Sequence, residues 1–331
     1  MQKELVSILT PCYNTGALVH RLLDSVLMQD YPSVEMFCID DGSTDNTREV
    51  VENYIPKFAE KGYSLTYIYQ ENGGQSSAIN NGLKLIRGEY LMWPDSDDYY
   101  NSTEAISTYV IALKGLDDTY AVVRSLPINI SEIDGRVINK MSMSNEVSEE
   151  NQFYNCLDSS HFIWPPVNYM IKVSAFDLGN PQREIYVEKN AGQNWQMLLP
   201  LLYSYKCKTL DDCLACVLVR ESSHSRGQYK TFEQLIARCR SYKNTILSTL
   251  DGIVEMPNEE RKKNKRKIIV KYKVQELRLS IQYGEKQAQS AIERELLELG
   301  VALSNRQKLE WKIQRYYIGT LLIRVVNKIL K

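Results

Sequence analysis

The chain has 331 residues, 44% hydrophobic and 24% charged, an ordinary globular mixture for one large domain or two small ones. Forty basic side chains against 41 acidic ones leave a formal charge of -1, which excludes a nucleic-acid protein whose affinity rests on a global basic field. No stretch approaches the roughly 20 apolar residues of a membrane-spanning helix, and Met1-Gln2-Lys3-Glu4-Leu5 run straight into a strand pattern without a secretory segment, so a cytoplasmic protein is expected.

Leu5 to Thr10 is a β-rich run that Pro11 is expected to stop. Ala17 to Met28 has helical spacing, with Leu18, Leu22 and Val26 at four-residue steps, and Tyr31-Pro32 closes it. Val34 to Ile39 is the second strand; the cap-rich turn Asp40 to Thr47 then opens a helix over Arg48 to Phe58. Leu65 to Tyr69 is a third strand, Ser76 to Ile86 a helix after Gly73-Gly74, and Glu89 to Trp93 a fourth strand ending at Pro94-Asp95-Ser96-Asp97-Asp98. Strands alternating with helices imply βαβ units and a mostly parallel sheet whose ligands bind at the carboxyl ends of the strands. Polar residues gather at those ends: Tyr13 and Asn14, Asp40 and Asp41, then Asp95, Asp97 and Asp98. Neither GxGxxG after the first strand nor GxxxxGK[ST] anywhere is present, so a dinucleotide or P-loop phosphate cradle is not supported.

Three carboxylates within four residues repel one another unless they are solvated or hold a cation. A bare acidic turn is the plain reading. The position after a strand that should be buried favours a hard divalent ion, Mg²⁺ or Mn²⁺, which shares phosphate oxygens with its substrate. Seven cysteines in a chain of this length form no disulfide framework; Cys213 and Cys216 have CxxC spacing without a second pair at zinc-ribbon spacing and read as buried thiols rather than a zinc site.

Four segments in order carry a resemblance: Ser7-Ile8-Leu9-Thr10-Pro11-Cys12-Tyr13-Asn14; Cys38-Ile39-Asp40-Asp41-Gly42-Ser43-Thr44-Asp45-Asn46-Thr47; Asn72-Gly73-Gly74-Gln75 with Asn80-Asn81-Gly82; and Gly88-Glu89-Tyr90-Leu91-Met92-Trp93-Pro94-Asp95-Ser96-Asp97-Asp98. They resemble the GT-A fold, family 2 inverting glycosyltransferases, strongly over residues 4–100 and more loosely to about residue 226. The resemblance implies an α/β fold with a mixed, mostly parallel sheet, helices on both faces and a helical C-terminal extension. It also implies a nucleotide-sugar donor, usually a UDP-sugar, and a setting in bacterial surface-polysaccharide synthesis. By that analogy Pro11, Tyr13 and Asn14 line the nucleotide pocket, with Tyr13 stacking on the base, Asp41 accepts from the base imide, and Gly74 belongs to the donor site. Asp97 is the metal ligand, Asp95 meets the ribose or metal waters, and Asp98 holds the shell or the sugar. Relatives often have Ala-Arg-Asn where this chain has Ala78-Ile79-Asn80; Arg87, Arg220 or Arg226 would have to supply that cation.

Inverting transfer needs a base for the acceptor hydroxyl. Where relatives carry Glu-Asp at a helix start, this chain has Gln193-Asn194, and amides take no proton at neutral pH. Three readings stay open. Glu188 or Glu184 substitutes as base; or Asn194 only orients the acceptor while a phosphate or water takes the proton; or the protein binds donor without transferring it. Trp164, in the aromatic and proline-rich stretch Phe162 to Asn168, and Trp195 are candidate acceptor-binding rings, with core packing as the plain alternative. His224, after the strand-like Val217 to Val219, is a candidate metal or phosphate ligand, flanked by Arg220 and Arg226 as candidate diphosphate partners.

From Thr231 the pattern is helical and charged, and the basic run Arg261 to Lys267 reads as a solvated helix face. Residues 311–331 contain five basic side chains and no acid; Ile318, Leu322, Val325 and Ile329 form one stripe. Such a helix suits peripheral contact with an anionic membrane, or packing on its own or a partner chain as a homo-oligomer. The expected division is a nucleotide-sugar half over 1–100, an acceptor-side half over 101–226 and a helical region over 227–331. The expected function is metal-dependent transfer from a nucleotide-diphosphate-sugar to a hydroxyl of a glycan or lipid-linked glycan. A donor-binding protein that has lost its base is the rival. A nucleotidyltransferase would show an early Gly-rich, basic loop, which is absent.

Overall fold

The computed structural model describes residues 1–188, 191–220 and 229–304. The chain divides into two compact units, Met1–Ser223 with Ser248–Met256 and His224–Leu247 with Pro257–Lys331.

Among the described residues the first unit has eleven strands: β1 (Gln2–Cys12), β2 (Val34–Asp40), β3 (Ser64–Tyr69), β4 (Gly88–Met92), β5 (Tyr99–Tyr100), β6 (Tyr120–Arg124), β7 (Pro127–Ser131), β8 (Val137–Lys140), β9 (Tyr169–Lys172), β10 (Lys206–Thr209) and β11 (Ala215–Val219). Seven form one sheet in the order β10-β6-β9-β4-β1-β2-β3, and four form a second in the order β5-β11-β7-β8. In the large sheet only β9 runs against its neighbours, pairing antiparallel with both β4 and β6. The expected mixed, mostly parallel sheet is therefore present. The helices are α1 (Val19–Leu27), α2 (Thr47–Lys61), α3 (Gln75–Leu83), α4 (Ala105–Lys114), α5 (Asn145–Ser148), α6 (Phe153–Asp158), α7 (Val173–Gly179), α8 (Asn194–Ser204), α9 (Phe232–Gly252), α10 (Asn258–Tyr283) and α11 (Lys286–Glu298).

The core follows the periodicities. Val6, Ile8 and Cys12 of β1 share one cluster with Val19, Leu22, Leu23 and Val26 of α1 and with Val51, Tyr54 and Phe58 of α2. Two boundaries differ from expectation. β1 continues through Pro11, which pairs with Ile39, to Cys12. β4 leaves β1 after the Ile8–Met92 pair, so at Pro11 the strand has one partner only, and a residue without an N–H is tolerated there. α2 runs on to Lys61 and stops at Gly62, whose φ of 83° supplies the left-handed cap.

Away from the strand ends, Glu35 of β2 is buried at 1% exposure and accepts from Ser7 Oγ at 2.6 Å and from Arg87 N and Nε at 2.7 and 2.9 Å. The segment Phe162 to Asn168, which reads equally as a loop closing over donor or acceptor and as a buried connection, is mostly packed inside, with only Trp164 and Pro165 half-buried.

In the second unit, Leu277 and Ile281 of α10 meet Ile292 and Leu296 of α11 in a small apolar cluster. Glu276 is buried there and is faced by Lys273 at 3.3 Å and Arg240 at 3.8 Å. The basic run lies on α10, where Lys262, Lys263, Arg266 and Lys267 are exposed. No helix among the described residues is long and apolar enough to cross a membrane. The amphipathic stretch 311–331, on which the membrane and oligomer expectations rest, lies outside the described residues.

Candidate functional site

The loops after β1, β2 and β4 lie at the carboxyl ends of three adjacent strands, and hydrogen bonds join the first two. Asp41 N donates to Cys12 O at 2.8 Å. Asn14 N donates to Ser43 Oγ and Thr44 N donates back to Asn14 Oδ1, each at 2.8 Å. Thr15 N donates to Thr47 Oγ1 and Gly16 N to Asp45 Oδ2, both at 2.9 Å. Asn14 takes a positive φ of 51°, which this bonded turn supports. Pro11 is buried and Tyr13, two residues on, stands 53% exposed.

Asp40 and Asp41 are separated by task. Asp40 accepts from Ser43 N and Tyr67 Oη, at 2.8 and 2.7 Å, and so shapes its own turn. Asp41 reaches the third motif: Oδ1 accepts from Gln70 Nε2 at 2.7 Å and Gly73 N at 2.8 Å, and Oδ2 from Gly74 N at 2.8 Å. A carboxylate has about four acceptor positions, so one remains on Oδ2. Gly74, at φ 91°, is the residue before α3 and adopts a backbone that a side chain would strain.

The acidic loop after β4 is met by three residues, from the start of α3 and the end of β11. Gln75 Nε2, at the start of α3, donates to Asp95 Oδ1 at 2.7 Å. Leu218 N of β11 donates to Asp98 Oδ1 at 3.0 Å. Arg220 places Nη2 2.5 Å from Asp97 Oδ2. Arg87, by contrast, is held by Glu35 at the opposite end of β4; among the described residues, Arg220 is the candidate for the missing motif arginine that meets the aspartates. His224 and Arg226 lie outside the described residues.

α8 begins at this loop. Asn194 Nδ2 donates to Trp164 O at 2.9 Å, and Trp93 Nε1 donates to Asn194 Oδ1 at 3.4 Å. Gln193, 1% exposed, lies beside Asp95 and favours its ionised form, although neither its Nε2 nor its Oε1 makes a hydrogen bond of normal geometry. Trp164 crosses edge-on to Trp195 and to Phe162, ring centres 4.9 Å apart in each case. Trp195 is 9% exposed and donates to Cys156 O, so its ring backs Trp164 from inside. Glu188 lies half-buried on the segment entering α8, and its carbonyl accepts from Ala191 N at 3.2 Å.

The acidic loop fits a cation. Burial, then the charge of Asp97, pushes Asp95 up from the usual carboxylate range, against the nearby Gln193 amide and the hydrogen bond from Gln75. Burial, then the charges of Asp97 and Asp95, pushes Asp98 up further. Arg220 offsets this only in part. Among the described residues no three His, Cys, Asp or Glu groups converge as a complete metal cage. Mg²⁺ and Mn²⁺ sites do not need one, since one or two carboxylates plus substrate phosphates suffice. The orphaned Gln193 amide beside Asp95 further marks the place as built for a polar guest.

Sequence reasoning missed Gln75, Gln193 as an Asp95 neighbour, and Trp93 as the anchor of Asn194. Gln75 directly follows the Gly73-Gly74 motif and was findable; the other two depend on contacts about a hundred residues apart.

Residues 7–172 match the family described as Glycosyl transferase family 2. Curated relatives include an uncharacterized glycosyltransferase of Rickettsia typhi, 36% identical over 119 residues, which are 36% of this chain and 35% of that protein. The glycosyltransferase EpsJ of Bacillus subtilis, also called uncharacterized, is 39% identical over 98 residues, 30% of this chain and 27% of that one. The match thus spans about a third of these relatives' own length. Among solved structures, S. aureus TarS 1-349 in complex with UDP-GlcNAc aligns with a TM-score of 0.56 at 20% identity, covering 94% of this chain and 79% of that chain. The mannosyltransferase PcManGT from Pyrobaculum calidifontis, in complex with GDP-Man and Mn²⁺, aligns with 0.53 at 16% identity, covering 99% and 89%. At these identities the likeness is one of fold.

Proposed function

Because the chain belongs to glycosyl transferase family 2, we propose that it transfers a sugar from a nucleotide-diphosphate donor to a hydroxyl of a glycan or lipid-linked glycan, inverting the anomeric centre. The observation that carries this reading is the meeting of Asp95, Asp97 and Asp98 with Arg220 at one end of α8, beside the bonded loops of Tyr13 and Asp41. Relatives named glycosyltransferases, and structural neighbours solved with UDP-GlcNAc or GDP-Man, support it.

In this reading Tyr13 stacks on the base above Pro11, with Asn14 shaping the turn, and the remaining acceptor position of Asp41 takes the base imide. Gly74 brings its backbone close to the donor. Asp97, with His224, would hold Mn²⁺ or Mg²⁺, and Asp95 and Asp98 complete the surroundings. The bound ion would supply positive charge to the departing diphosphate. Arg220 and Arg226 are forks for phosphate oxygens. Trp164, backed by Trp195, offers a ring to the C–H face of the acceptor sugar. Asn194 spends its amide on Trp93 and Trp164 and takes up no proton at neutral pH, so Glu188 is the candidate base.

The test is a panel of nucleotide sugars with Mn²⁺, read by thermal shift and by nucleotide release. One donor is expected to stabilise the protein and to release nucleotide when acceptor is present, and Asp97→Ala is expected to abolish Mn²⁺-dependent donor binding. The Gln193-Asn194 pair favours one second reading, a donor-binding protein without transfer. Stabilisation without turnover across all acceptors would select it.

A further inference from the structure

We propose that Arg220 is the resident counter-cation of Asp97: it occupies that carboxylate until a donor diphosphate draws the guanidinium away, so that divalent metal and donor bind as a coupled pair. This rests on the metal and donor reading above and adds an order to it.

The acidic loop distributes its bonds unevenly. Asp95 accepts from the Gln75 side-chain amide and Asp98 from the Leu218 backbone amide, both neutral donors. Asp97 instead meets a charged group, Nη2 of Arg220 at 2.5 Å, with the two side chains 23% and 16% exposed. Arg220 follows β11 directly, and the β11 amide that binds Asp98 fixes the strand end against the loop. The guanidinium is thereby delivered to Asp97 by the fold.

Two further observations point to an incoming ligand. The Gln193 amide, 1% exposed and beside Asp95, has no hydrogen bond on either polar atom. Arg220 Nε is also buried without an acceptor, so the fork retains donor capacity. A guanidinium matches phosphate oxygens in bidentate fashion, and a divalent ion needs the carboxylate oxygens that Arg220 covers. With no diphosphate present, Arg220 and a metal compete for Asp97. A diphosphate gives the guanidinium a second acceptor and gives the metal further oxygens. Competition then turns into cooperation, and by linkage each ligand tightens the other by the same factor.

The experiment measures Mn²⁺ binding to the full chain by the EPR signal of free Mn²⁺, alone and with UDP or GDP, for wild type, Arg220→Met, Arg220→Lys and Asp97→Asn. In wild type, the nucleotide that binds is expected to tighten Mn²⁺ about tenfold or more. Arg220→Met should bind Mn²⁺ alone more tightly than wild type, and nucleotide should add less. Arg220→Lys, which keeps charge but loses the fork, should fall between them, and Asp97→Asn should lose the site. A gain in affinity is not a result that misfolding produces. Should Arg220→Met hold Mn²⁺ alone no more tightly than wild type, while wild type binds it normally, the competition is refuted and the metal reading stands. Should UDP or GDP bind while Mn²⁺ never does in any protein or mixture, the metal reading falls and this inference with it.

Discussion

Trp93 and Asn194 are joined by a hydrogen bond from the indole Nε1 to the amide Oδ1 at 3.4 Å, which ties the residue before the acidic loop to the first residue of α8. Because Asn194 also donates to the Trp164 carbonyl, one amide fixes three segments. The amide supplies the acceptor in one direction and the donor in the other, which an ionised carboxylate, an acceptor only, does not.

Asn194→Asp, which would install the carboxylate expected from the family resemblance, is therefore expected to fail as a gain of function. The new carboxylate has no N–H for the Trp164 carbonyl and sets oxygen against oxygen. We expect a loss of about 1–3 kcal/mol in urea unfolding and no rise in nucleotide release.

Asp41→Asn tests the hinge between the second and third motifs. The variant would turn an NH₂ toward the amides of Gly73 or Gly74, where a carboxylate now accepts. Hydrogen bonds to a charged group are worth about 1.5–3 kcal/mol each, so stability should fall by roughly that amount and nucleotide affinity with it. Urea unfolding and a nucleotide titration read the two effects separately.

The acid limb of stability should depend on Asp45. Burial works against its ionised form, but hydrogen bonds from the Thr47 hydroxyl and from the amides of Gly16 and Thr47 outweigh it and lower its pKa. A carboxyl lower in the folded than in the unfolded state stabilises fully above the unfolded pKa, near 4 or about that, and loses this as pH falls through the folded one. Asp45→Asn should flatten the fall in urea stability between about pH 5 and pH 2; an unchanged slope would refute the assignment.

Glu35→Leu should destabilise without touching the site. It removes the acceptor of the Arg87 amide and of Ser7 Oγ in the interior, and leaves the Arg87 guanidinium, 65% exposed, to water. An orphaned buried donor costs about 1–3 kcal/mol. We expect a lower melting temperature with nucleotide affinity retained at a temperature where the variant is folded.

The first hundred residues were legible because their signals are local. Apolar spacing set α1, cap residues opened α2, and Gly73-Gly74 broke the chain before α3. Apart from the run of β1 through Pro11, the strands began and ended within a few residues of expectation. The position of Asp95, Asp97 and Asp98 after β4 was legible for the same reason. What was hidden lies in short elements and distant partners. β9 has four residues and β5 two, too few for a period to declare itself. The division of labour between Asp40 and Asp41 turns on Tyr67 and Gln70, and nothing in a run of two aspartates tells them apart. Arg87 and Arg220 looked equivalent as cations until Glu35 and Asp97 claimed one each.

The antiparallel β9 strand has a mechanical consequence. Because it bonds to β4 on one side and β6 on the other, the donor-side strands and the strands that follow them form a single hydrogen-bonded plate. No hinge runs between the two halves of that plate, and opening one would break a ladder in the protein interior. Any motion that admits a substrate or releases a product must therefore be made by what the plate carries at its rim, while the floor beneath stays rigid.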